Sequence, residues 1–141
     1  MTGEVAIKLR VLGLSEPAAF GIFSGFGDFT QSGDSLPCFT GRGLGGYLKP
    51  PHGIGENQQA YAGTTRQDDP VLSPMKSDLA GLPPTLFLTS TRDCLLSGTT
   101  LFHRAMLRAD DEAELSFLKR SVIPFGKIQH CTSQMRPIAS L

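Results

Sequence analysis

The sequence predicts an α/β fold, with parallel strands and flanking helices, incomplete and rich in loop. Three stretches carry that expectation. Thr85 to Ser90, "TLFLTS", is apolar and β-rich and follows a Pro-Pro pair, so it reads as a central strand. Ser97 to Ala109, "SGTTLFHRAMLRA", places apolar residues at 101, 102, 105, 106 and 109, the spacing of an amphipathic helix. Ala113 to Leu118, "AELSFL", reads as a further strand. A strand, a helix and a strand at this spacing predict a right-handed βαβ unit.

The other elements are shorter. Val5 to Leu12, "VAIKLRVL", has apolar residues at 5, 6, 9 and 12 with Lys8 and Arg10 on the other side, which predicts the end of an amphipathic helix stopped by Gly13 and Pro17. Ala18 to Phe23, "AAFGIF", is an apolar run between Pro17 and Ser24-Gly25 and reads as a buried strand of a parallel sheet. Ser24 to Gly55 holds nine of the sixteen glycines and keeps no period, so it is expected to be loop. A helical turn is expected at Asn57 to Ala62, and Asp68 to Pro84 is turn-rich. After Leu118 the pattern is lost in a mixture of charge, Pro and Gly.

Length and composition narrow the function classes. At 141 residues the chain is about one domain long. Thirteen basic and thirteen acidic side chains cancel, so no field attracts nucleic acid or anionic lipid, and no nucleic-acid partner is expected. Cys38, Cys94 and Cys131 are odd in number, widely spaced and form no Cys-x-x-Cys, which argues against a disulfide framework or a zinc site and fits a reducing compartment. No signal-like or membrane-spanning run follows Met1, so a cytoplasmic protein with no membrane partner is the expectation.

Several motifs fail on context. Gly41, Gly43 and Gly46 satisfy G-x-G-x-x-G, but no strand leads in and no helix follows to meet a phosphate, so no cofactor is expected. Gly33-Asp34-Ser35-Leu36 imitates a serine nucleophile. The nucleophile elbow G-x-S-x-G is absent, however, and none of His52, His103 and His130 lies in an Asp-x-x-His. These three histidines read as structural or solvated residues, and Ser35 as an ordinary loop serine. Asp93 differs, because it follows the strand "TLFLTS" by two residues and precedes a helix. Open parallel sheets put their chemistry at the carboxyl ends of strands, where a carboxylate can orient a base and stabilise its cation. A helix cap or first-turn acid is the plainer alternative.

Residues Asp69 to Leu115 resemble the C-terminal part of the α/β-hydrolase fold-3 family, the hormone-sensitive-lipase-like carboxylesterases. The resemblance rests on Asp69-Pro70, Ser73-Pro74, Leu79-x-Gly81-Leu82-Pro83-Pro84 and Arg92-Asp93-x-Leu95. It extends more weakly to "LGLSEPAAFGIFSGFGDFT". The resemblance implies the C-terminal portion of an α/β-hydrolase fold, small carboxylic ester substrates, and Asp93 as the catalytic acid. It also implies that the oxyanion stretch and nucleophile elbow would lie before Met1, and that the catalytic His would fall near Ile123, where this chain has none.

The domain reading is therefore a partial hydrolase domain over residues 1–118 and an atypical tail over 119–141, frameshifted or disordered. Codons can be chosen for the tail whose shifted frame reads Val-Ile-Phe-Glu-Ala-Leu-Gly-His-Ser-Val-Trp, which shows compatibility with a frameshift. The leading functional reading is a truncated esterase with the nucleophile and base missing. The alternative is a non-catalytic interaction module or one part of a split hydrolase, associating through an unpaired sheet edge. A new site made of Ser35 and His130 lacks both a supporting turn and an orienting acid.

Overall fold

A computed structural model of the chain describes residues 2–31, 33–41 and 59–119. Three parallel strands form one sheet in the order β1 (Phe20–Phe23), β2 (Thr85–Ser90), β3 (Ala113–Leu118). Among the described residues, helices α1 (Thr2–Val11), α2 (Ser35–Gly41) and α3 (Leu96–Arg108) accompany them. A 3₁₀ turn spans Pro74–Lys76. The strand, helix and strand expected after Pro84 are present, with β2 and β3 adjacent and parallel.

Register explains which residues meet the helices. Ile22, Phe87 and Leu115 share one row across the sheet, so their side chains point to the same face. That face packs on Ala6 and Ile7 of α1 and on Phe102 and Met106 of α3. Phe87 and Phe102 meet edge to face, with ring centroids 5.4 Å apart. The next row, Phe23, Leu88 and Ser116, points to the opposite face, where Phe23 is left 47% exposed.

Helix α1 starts three residues before the expected Val5, with Glu4 in its first turn, where the helix dipole favours an acid. It ends in a Schellman pair: the N–H groups of Gly13 and Leu14 donate to the carbonyls of Arg10 and Leu9. Gly13 takes φ +64°, a backbone conformation that suits glycine. The buried face is not the 5, 6, 9, 12 stripe of the sequence pattern. It is centred on Gly3, Ala6 and Ile7, and Val5 and Leu12 are more than half exposed. The cause is a close approach, since a Cβ at Gly3 would sit 2.7 Å from the Phe102 ring.

Helix α2 corrects the expectation of loop throughout Ser24 to Gly55. Its seven residues are too few to show a period, and Pro37 falls in the first turn, where a missing N–H costs nothing. Residues 59–62 close the helical turn expected at Asn57 to Ala62. The G-x-G-x-x-G glycines beyond Gly41, His52, His130, Cys131 and the tail beyond Lys119 lie outside the described residues.

Candidate active site

The carboxyl end of the central strand gathers the polar groups. Thr89 lies two residues beyond Phe87, so its side chain is on the same face as α3, and it is fully buried. One helical-turn length further on, Asp93 is also buried, at 3% exposure. Its Oδ2 accepts from Thr89 Oγ1 at 2.8 Å and its Oδ1 accepts from the Leu95 N–H at 2.9 Å. Both carboxylate oxygens are thereby aimed, while each keeps lone-pair capacity for another donor. The N-cap of α3 is Leu95, which offers no side-chain cap, so Asp93 stands before the helix rather than capping it.

The neighbouring thiol registers this surrounding. Burial, and after it the negative charge of Asp93, pushes the Cys94 thiol above its ordinary range. An unactivated Cys94 is the consequence, and no nucleophilic role falls to it.

Gly33-Asp34-Ser35 sits against the same turn. Ser35 is the first residue of α2 and is buried, which corrects its reading as an ordinary loop serine. Its hydroxyl donates to the Cys94 carbonyl at 2.9 Å and accepts from the Ser97 N–H at 2.9 Å. In return, Ser97 Oγ accepts from the Ser35 N–H at 3.1 Å and donates to Asp34 Oδ1 at 2.7 Å. That last bond holds the Asp34 carboxyl below the usual carboxylate range. With its proton committed to a carbonyl, the Ser35 hydroxyl is placed as a structural group and not as a nucleophile.

The remaining sequence candidates are elsewhere. His103 Nε2 lies 3.3 Å from the carbonyl of Ala113, at the amino end of β3, and its ring meets Phe87 edge to face. It is thus at the opposite end of the sheet from Asp93 and packs as a structural residue. Asp28 is a second buried carboxylate at the sheet's carboxyl side. Burial pushes it up, but donors from Thr30 and the Lys76 ammonium, 2.9 Å away, leave it lowered. It fixes its own loop, whose Phe29 N–H donates to Ser73 Oγ. Among the described residues no group of three His, Cys, Asp or Glu side chains is arranged to hold a metal. No described helix is long and apolar enough to cross a membrane.

A family model described as alpha/beta hydrolase fold matches residues 1–126, which takes in the sheet, helices α1, α2 and α3 and the Asp93 turn. The chain belongs to the α/β-hydrolase fold-3 family. Solved structures agree with that membership. The crystal structure of an esterase aligns with a TM-score of 0.71 at 27% identity, over 84% of this chain and 36% of that one. A hormone-sensitive lipase from a metagenome library aligns with a TM-score of 0.68 at 28% identity, over 83% of this chain and 38% of that one. An esterase/lipase from an uncultured bacterium, at 22% identity and a TM-score of 0.72 over 86% of this chain and 39% of that one, shares the fold. The chain therefore spans 36% to 39% of the length of these three family structures. No curated protein sequence matches it.

Sequence reasoning missed Thr89, Asp34 and Ser97 as parts of this site. Thr89 had a local signal, a hydroxyl at the end of a strand four residues before an acid. Ser97 had none, because its partners lie 62 and 63 residues away.

Proposed function

We propose that this chain carries the acid-bearing part of a carboxylic-ester hydrolase centre, with Asp93 as the acid, and is not by itself a competent hydrolase. The observation that carries this reading is the Asp93 carboxylate, buried just past the carboxyl end of the central strand and aimed by Thr89 and Leu95. The family supplies the chemistry. A serine attacks the ester carbonyl, a histidine takes and returns the proton, and the acid holds the imidazole N–H and stabilises the cation.

Only the third role has a candidate here. The sequence contains no Gly-x-Ser-x-Gly and no Asp-x-x-His. The Ser35 hydroxyl is bonded to Cys94 and Ser97, and His103 packs at the other end of the sheet. Without nucleophile and base most of the rate enhancement is lost. The substrates of the complete centre would be small carboxylic esters. The purified chain is expected to hydrolyse p-nitrophenyl butyrate no faster than buffer does. Turnover that disappears in Ser35→Ala would overturn the reading.

A second reading, one part of a split hydrolase, is favoured by the edge of the sheet. Phe20 and Ser24 donate to Pro84 and Leu88, so by strand alternation the polar groups of Gly21 and Phe23 face away from β2. Among the described residues no strand pairs with that edge.

A further inference from the structure

We propose that Gly33-Asp34-Ser35 is a clasp that positions the Asp93 carboxylate through a single peptide plane. The catalytic consequence rests on the reading of Asp93 given above, whereas the clasp itself is a matter of geometry. The Ser35 hydroxyl donates to the Cys94 carbonyl, and the Leu95 N–H donates to Asp93 Oδ1. That carbonyl and that N–H belong to the same amide, which is planar and rigid. Fixing the carbonyl end fixes the direction of the N–H, and aligned bonds of this kind polarise one another. Ser35 therefore orients Asp93 without touching it.

The rest of the motif holds Ser35 in place. The first N–H groups of a helix have no partner within it, and Leu95 supplies no side-chain cap. Ser35 Oγ accepts from the Ser97 N–H, filling that role from a distant segment. Ser97 Oγ answers with bonds to the Ser35 N–H and to Asp34. Gly33 is needed for the approach: it takes φ +78°, and a Cβ there would overlap the Ser97 Cβ. A string that imitates a nucleophile thus works here as a positioning device, and Ser35 is a positioning residue.

Amide hydrogen exchange and carboxyl carbon resonances of the whole chain, read by NMR, test the clasp. In Ser35→Ala the Leu95 and Ser97 amides are expected to exchange roughly tenfold faster or more, with the β2 amides of Phe87 and Leu88 unchanged. The Asp93 carboxyl carbon is expected to shift. Faster exchange at Ser97 alone, with Leu95 and the Asp93 resonance unmoved, would reduce Ser35 to a helix cap and overturn the proposal. Should Ser35→Ala not fold, Asp34→Ala removes only an exposed partner. It is expected to speed the same two amides by about two- to fivefold, and no change at Leu95 would again overturn the clasp. Neither readout needs turnover, so a failure here leaves the role of Asp93 open to its own test, and the reverse also holds.

Discussion

The Cys94 thiol is pushed up first by burial and then by the adjacent Asp93 charge, which makes it a reporter on that carboxylate. The sign is direct. A negative neighbour disfavours the thiolate, so neutralising the neighbour lowers the thiol's pKa and enlarges the reactive fraction at neutral pH. Asp93→Asn keeps an acceptor for the Leu95 N–H and removes the charge. It is expected to speed alkylation of Cys94 by about three- to tenfold, with exposed Cys38 unchanged as the internal control. Peptide mass mapping after timed alkylation reads both sites, and an unchanged Cys94 rate would contradict the electrostatic account. At this scale the sequence is uneven as a guide. Asp93 is legible because strand, loop and helix signals surround it within ten residues. Ser35 is not, because its meaning depends on partners at Cys94 and Ser97, 59 and 62 residues along the chain.

Among the elements, the strands are the most legible: the apolar run at Phe20–Phe23 lies between Pro17 and Gly25, and the β-rich run at Thr85–Ser90 follows the Pro83-Pro84 pair. Helix α1 is legible in kind and misleading in face. Its apolar residues lie on more than one side, and the side that packs is chosen by the bare backbone of Gly3 against Phe102. Val5, Val11 and Leu12 are left at least half exposed, close in sequence to Leu14. Phe23 adds exposed apolar surface on β1, whose outer edge has no partner strand among the described residues. Such an edge is a template for pairing with another chain. Sedimentation is therefore expected to show concentration-dependent association. Phe23→Lys, a charge on the edge strand, should weaken that association by about tenfold or more. A clean monomer at every concentration would contradict the unpaired-edge reading.

For the molecule as a whole, the family was legible in the sequence through a short chain of turn and strand signatures, each with a structural reason. The Leu79 to Pro84 segment ends a turn in which Gly81 takes φ +78° and donates its N–H to Asp111 Oδ1, tying the lead-in of β2 to that of β3. Ser73, fully buried, accepts from Phe29 and donates to the carbonyl of Gln67. These are the same positions on which the resemblance to fold-3 hydrolases rests. What the sequence did not disclose is the non-local bonding that joins α2 to the Asp93 turn. A chain spanning 36% to 39% of its solved relatives keeps one arm of their architecture and, in the proposed reading, one member of their catalytic set.

The role of Asp93 is best tested in a complete centre. Residues 1–118 grafted between the flanking segments of the esterase that is 27% identical would surround this turn with the rest of that protein's chain. The graft is expected to hydrolyse p-nitrophenyl butyrate, and Asp93→Asn within it to lower kcat by roughly 10³- to 10⁴-fold with little change in KM. An Asp93→Asn graft with undiminished kcat would contradict the assignment.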